Sequence, residues 1–146
     1  MEIPAEFHEL LSSQAVAFVA TIGKRGEPQV TPIWFLWDGE RVLAFSKPHA
    51  RKVENLRHDP HVMLAVGTPG PDFDVELIEA DAELPATPTA ELMPSGFGKK
   101  YAELLRHAGL SVQRFMEVYS QPIVMRPTRF LGYGGRGWEP SAQLAS

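Results

Sequence analysis

Residues 15–46 read AVAFVATIGKRGEPQVTPIWFLWDGERVLAFS, and the fold follows from this stretch. Ala15 to Ile22 is rich in β-branched and aromatic residues, the composition of a half-buried strand. Gly23-Lys24-Arg25-Gly26 makes a turn, and a second extended run follows from Gln29 to Trp37. Asp38-Gly39 is a strong hairpin signal, because the tight turn needs residues that tolerate positive φ. It leads into a third run, Arg41 to Phe45. Three antiparallel strands in succession are therefore predicted.

Upstream, Phe7, Leu10 and Leu11 recur at spacings of three and four behind Pro4. Pro4 to Ser13 thus reads as a short amphipathic helix over a core. Downstream, Pro48 to His58 sets Val53 and Leu56 on one side and Arg51, Lys52, Glu54 and Arg57 elsewhere, a helix of about three turns with Arg51 and Lys52 on its exposed side. Pro60 pushes Asp59 out of the helical region, and His61 to Gly67 returns to strand. Past the turn Thr68-Pro69-Gly70-Pro71, the run Phe73 to Leu84 switches apolar parity at Leu77 and Ile78, as a β-bulge or a strand bending round a barrel would produce. A Pro-rich loop through Pro85, Pro88 and Pro94 is the candidate mobile cover of a site. It precedes a helix near Lys99 to His107, stopped by Gly109, and a Ser-capped helix from Ser111 to Tyr119. Ile123 to Tyr133 is the last strand, and the tail after Gly134 is expected to be mobile. The count predicts a mainly β (α+β) fold: a six-stranded antiparallel barrel with peripheral helices, one domain over residues 1–146.

Composition narrows the chemistry. With 146 residues, 44% hydrophobic and 22% charged, the chain can bury one core. It has no cysteine, which excludes disulfides, a thiolate nucleophile and Cys-ligated metal sites. No apolar stretch is long enough to span a bilayer, and the start Met1-Glu2-Ile3-Pro4-Ala5-Glu6 is acidic, so a cytoplasmic protein without a membrane partner is expected. A formal charge of −4 argues against a nucleic-acid partner. His58 and His61 are separated by Pro60 and no other ligands cluster with them, so no metal site is expected. Neither a Gly-x-Ser-x-Gly elbow nor a Walker loop occurs.

Two local features carry chemistry. In Ser46-Lys47-Pro48-His49-Ala50-Arg51-Lys52 a strand ends and a helix begins. The helix N-terminus presents unpaired N–H groups, and Ser46, Arg51 and Lys52 add a hydroxyl and two cations, which together make a phosphate pocket. A capped helix with a solvated basic face accounts for the same residues equally well. In Val30-Thr31-Pro32-Ile33-Trp34-Phe35, Pro32 cannot donate to a ladder, so it implies an edge, a bulge or a place where the strand stops pairing with its neighbour. Backbone groups freed beside Trp34 and Phe35 suit a flat heteroaromatic ring, although core or interface packing also explains the aromatics.

The order of these features is more specific than either alone: hairpin, Thr-Pro-Ile-Trp-Phe, Asp-Gly turn, strand, Ser-Lys-Pro, Arg-Lys helix, Asn-Leu-Arg-His-Asp-Pro, strand. In this order the chain resembles the pyridoxamine-phosphate-oxidase-like split-barrel family, and within it the flavin- and deazaflavin-dependent reductases. Pro127 to Tyr133 is similar to the family's closing strand. The resemblance implies a split barrel that is homodimeric, with two cofactor sites at the subunit interface. Val30, Thr31, Pro32, Ile33 and Trp34 would lie along the ring system. The third strand's end at Phe45 and Ser46, with Arg51 and Lys52 of the next helix, would hold the phosphate.

The activity implied is an oxidoreductase passing a hydride between the cofactor and a small unsaturated organic substrate, with the cofactor supplying the redox chemistry. The expected cofactor is the deazaflavin coenzyme F-420, with FMN the alternative. Lys24, Arg25 and Arg57 are candidates to line a groove for the deazaflavin's acidic tail, and the Arg, Pro and Ala content hints at a GC-rich source, where that cofactor is common. The alternatives are an FMN-dependent oxidase or reductase and a flavin- or tetrapyrrole-binding protein without turnover. Tyr101, Tyr119 and Tyr133 are candidate proton donors by chemistry alone.

Overall fold

The computed structural model describes residue 3 and residues 5–68, 74–133 and 140–145. Residues 69–71 of the predicted turn, and residues 134–139 and 146 of the tail expected to be mobile, lie outside these. Twelve elements follow in chain order: α1 (Ala5–Ser13), β1 (Val16–Ile22), β2 (Pro28–Trp37), β3 (Val42–Ser46), α2 (Arg51–His58), β4 (His61–Thr68), β5 (Asp74–Glu83), α3 (Thr89–Leu92), α4 (Gly96–Ala108), α5 (Val112–Val118), β6 (Gln121–Tyr133) and β7 (Pro140–Ala145). The sheet runs β3-β2-β1-β4-β5-β6-β7, and β3 also pairs with β6, so six antiparallel strands close a barrel. That is the predicted mainly β (α+β) architecture. The sequence reading missed β7. It pairs with Arg129 to Tyr133, on the length of β6 that extends beyond its pairing with β3 at Gln121 to Met125.

The turns form for the reasons read from the sequence. Asp38 Oδ1 accepts from the Glu40 and Arg41 amides at 2.9 and 2.6 Å, and Gly39 takes φ 97°, a conformation that favours glycine. Gly109, at φ 71°, ends α4, and the Ser111 side chain accepts from the Arg114 amide to start α5, which satisfies an otherwise unpaired first-turn donor.

Strand alternation divides the apolar residues into two cores. Ala17, Val19, Ile33, Phe35, Val42 and Ala44 turn into the barrel, where Phe7 and Leu11 of α1 and Val53 and Leu56 of α2 meet them. Leu43 and Phe45 turn outward and are covered by Phe97, Tyr101 and Leu105 of α4 and Phe115 of α5. The parity switch predicted at Leu77 and Ile78 does not occur. Glu76, Ile78 and Ala80 point inward and are buried, while Leu77 stays on the outer face between Ala65 and Leu131. The register shift comes later, between Glu79 and Ala80. Residue Thr128 of β6 is the extra one, and its Oγ1 donates to the Glu79 carbonyl at 3.1 Å.

Tyr101 joins the two cores. Its buried hydroxyl accepts from the Phe35 amide at 2.7 Å and lies 2.7 Å from the Ala15 carbonyl and 2.8 Å from that of Phe35. Lys100 Nζ already donates to the Phe35 carbonyl, which leaves the tyrosine proton for Ala15. The hydroxyl thus extends the β1–β2 ladder one step past its last pair, Val16 with Trp34. Tyr101→Phe should leave the Phe35 amide and the Ala15 carbonyl unpaired and lower stability by about 1–3 kcal/mol. Urea unfolding with an unchanged m-value checks this, and an unaltered midpoint would show that the ladder does not depend on the hydroxyl.

Candidate functional site

β2 pairs with β3 only from Phe35 to Trp37, whereas its pairing with β1 extends from Pro28 to Trp34. Ahead of Phe35, then, β2 has a strand on one side only among the described residues. Pro32 sits in this half, opposite Phe18, where a missing N–H donor costs little. The barrel is split here, as the proline implied.

A cavity of about 220 Å³ opens at the split. Five of the residues singled out from the sequence line it: Pro32, Ile33, Trp34, Phe45 and Lys52. Its remaining wall is helical, with Ala108 and Leu110 at the end of α4 and Phe115 and Tyr119 on and just after α5. Trp34 stacks on Tyr101 with ring centroids 4.8 Å apart and on Phe115 at 5.6 Å, and Tyr119 stacks on Phe115 at 4.6 Å. These contacts hold flat apolar walls in fixed orientation. Phe115 was not singled out from the sequence, and Tyr119 only as a candidate proton donor. Their i, i+4 spacing on a Ser-capped helix was the available signal.

The other sequence candidates are placed differently. Val30 is 61% exposed on the outer face of β2. Thr31 Oγ1 lies 3.5 Å from Lys52 Nζ. Ser46 has the inward parity of Val42 and Ala44 and is buried, its hydroxyl donating to the Lys47 carbonyl at 3.1 Å, so it does not line the cavity. Arg51 points to the β1–β2 turn, 3.8 Å from Glu27 Oε1, and borders a separate open hollow with Arg25 and Gly26. Lys52 was expected on the exposed side of its helix and is instead half-buried. With Val53 and Leu56 committed to the barrel core, the neighbouring position 52 is turned toward the split rather than to solvent.

Electrostatics give Lys52 its interest. Burial holds its pKa below the ordinary lysine range, with no charged partner to offset the desolvation. Among the described residues no carboxylate pairs with it. α2 has Ala50 at its N-cap and no side-chain cap, and the Val53 amide donates to the Ala50 carbonyl, which leaves the Arg51 and Lys52 amides as first-turn donors. Buried Asn55 fixes the helix on the hairpin, its Nδ2 donating to Thr21 Oγ1 at 3.0 Å and to Gln29 Oε1 at 3.2 Å. The donor set of cation, helix amides and Thr31 hydroxyl fits a phosphate, and the aromatic walls fit a flat ring.

The Pro-rich segment does not cover the cavity. Within it Thr89 is buried, its Oγ1 donating to the Tyr119 carbonyl at 2.6 Å and its amide to Ser120, and Gln121 Nε2 donates to the Pro85 carbonyl. The segment is pinned to the end of α5 and the start of β6, and the cover over the cavity is α5 itself. Of the three tyrosines, Tyr101 is engaged with backbone, and burial pushes its pKa up to about 12. Tyr119 lines the cavity, and the side chain of Tyr133 lies outside the described set.

Comparison with known proteins bears on the family and the fold. Residues 3–128 match the family model described as pyridoxamine 5'-phosphate oxidase. No curated protein sequence matches. A solved structure named as an F-420 reductase shares 25% identity with this chain, over 88% of this chain and 98% of its own, with a TM-score of 0.64. A conserved hypothetical protein from Mycobacterium tuberculosis superposes with a TM-score of 0.72 at 21% identity, over 93% of this chain and 87% of its own. The heme storage protein from Vibrio cholerae gives 0.61 at 16% identity, over 87% and 91%. These last two share the fold.

Proposed function

The chain belongs to the pyridoxamine 5'-phosphate oxidase family, and from that premise we propose that it is a homodimeric oxidoreductase holding a phosphate-bearing flavin-type cofactor, coenzyme F-420 in preference to FMN, and reducing a small unsaturated organic substrate. The observation that carries this reading is Lys52, a half-buried ammonium without a carboxylate partner among the described residues, in an aromatic-walled cavity at the free half of β2. An anion there would offset the desolvation that the lysine otherwise bears. The preference for the deazaflavin is supported by the 25% identity with the structure named as an F-420 reductase.

When bound, the reduced deazaflavin supplies a hydride from its ring carbon. The chain's own residues do the rest. Lys52 and the first-turn amides of α2 hold the phosphate, and Thr31 orients the ammonium. Pro32, Ile33 and Trp34 align the ring along β2, and α5 excludes water with Phe115. Tyr119, a tyrosine that lines the cavity, would give the substrate its proton. Tyr119→Phe should therefore lower turnover by about 10–100-fold while cofactor affinity stays within twofold of the parent. An unchanged rate would assign the proton to water.

The activity test mixes the protein with reduced coenzyme F-420 and a panel of quinones, conjugated enones and biliverdin, following cofactor oxidation. Oxidation that depends on both protein and acceptor supports the reading. Tight FMN binding with no deazaflavin binding favours the FMN enzyme. Binding of either cofactor without turnover favours the carrier, a role consistent with the family's breadth, since a neighbouring fold is the heme storage protein.

A further inference from the structure

Lys100 belongs neither to the cavity at the split nor to either apolar core. It lies near the start of α4, where its half-buried Nζ donates to the Phe35 carbonyl at 2.8 Å and sits 4.0 Å from the Phe35 ring centroid. Beside it opens a second cavity, of about 400 Å³, walled by Leu36 and Trp37 and edged by Ser12, Gly96 and Lys99. No carboxylate lines this cavity or pairs with Lys100 among the described residues. The titratable groups around it are Lys99 and Tyr101 of its own helix and His8 of α1, whose Nδ1 lies 3.0 Å from Trp37 Nε1 as the acceptor. An ammonium so placed loses hydration and gains no counter-ion, and its pKa falls to about 8.

We propose that Lys100 is an acylation site, its amine taking the acyl group of small acyl phosphates or thioesters, with the acyl chain received against Leu36 and Trp37. In this reaction the neutral nitrogen bonds to the acyl carbon. The C–O bond to phosphate or the C–S bond to thiol breaks, phosphate or thiolate leaves, and the amine's proton passes to water. No electrons are exchanged. The amide product keeps one N–H, enough to retain the hydrogen bond to Phe35, and removes a charge that burial disfavours. The cavity is open, so donor and product both have room. Lys24, Lys47 and Lys99 are exposed and serve as internal standards.

The experiment incubates the whole protein with acetyl phosphate and follows acetylation at each of its five lysines by mass spectrometry. At about pH 7.5 Lys100 should react roughly tenfold faster than Lys99, and its rate should level off above about pH 8 as the amine becomes fully neutral. Lys47→Arg, remote from this cavity, should leave that rate unchanged. Saturating FMN should also leave it unchanged, so the outcome does not depend on the cofactor site being assigned correctly. Reaction at Lys100 no faster than at Lys99, a rate still climbing above about pH 10, or protection by FMN would overturn the proposal.

Discussion

Alanine at both Arg51 and Lys52 should weaken the binding of FMN and of coenzyme F-420 by about a hundredfold or more, because charge-assisted hydrogen bonds to phosphate contribute roughly 1.5–3 kcal/mol each. The two residues should share the loss unequally. Lys52 is half-buried and lines the cavity, whereas Arg51 is exposed and 3.8 Å from Glu27, where solvent and the carboxylate screen it. Lys52→Ala alone should therefore carry most of the effect, and Arg51→Ala should cost at most a few-fold. The fold should survive, since neither side chain belongs to the barrel core. Affinity should also decline at alkaline pH. Phosphate is attracted to the protonated amine, and burial lowers the pH at which that proton is lost. Equal affinity of the double variant and the parent would remove the phosphate from this end of β2.

Aspartate at both Phe18 and Val30 should convert the proposed dimer to monomer, raising its dissociation constant on the order of a thousandfold, since an unpaired charge buried at an interface costs about 3–5 kcal/mol. The outer face of the hairpin motivates this. Phe18 is 51% exposed, Val30 61% and Ile22 37%, and the register sets Phe18 beside Pro32 on one strand and Ala65 on the other. The apolar stripe continues through Leu77 to Leu131. Such a contiguous exposed face marks an interaction surface, and a closed pair of identical chains is the commonest way to cover one. Sedimentation should give a dimer for the parent and a monomer for the variant, with both folded by thermal unfolding. A monomeric parent at micromolar concentration would contradict the shared site.

Much of this was legible in residues 15–66. Asp38-Gly39, Pro60 and Gly109 act through backbone geometry that any context must respect, so the meander and the helix boundaries could be read locally. Pro32 pointed to the split because a residue without an N–H suits a strand that is paired on one side only. What failed depended on partners distant in sequence. Leu77 was read as a parity switch because an apolar residue was assumed to point into the barrel. It points out, onto an apolar outer stripe that only the β4–β5–β6 register reveals. Ser46 is one residue past Phe45, and strand alternation carries it to the opposite face. Lys52 was assigned to solvent from its charge, yet its neighbours Val53 and Leu56 fix α2 on the barrel and leave position 52 beside the split. The helical wall of the cavity comes from residues 74 to 85 positions after Trp34, and β7 pairs through a register that no local pattern announces.

The most direct test of the central claim is an equilibrium titration of the cofactor-free protein with oxidised coenzyme F-420 and, separately, with FMN, followed by visible absorbance and by tryptophan fluorescence. Saturable binding of one cofactor per chain is expected, tighter for the deazaflavin, with quenching of Trp34 emission that is lost in Lys52→Ala at the same cofactor concentration. Absence of saturable binding of either cofactor at high micromolar concentration, by a protein shown to be folded, would contradict it.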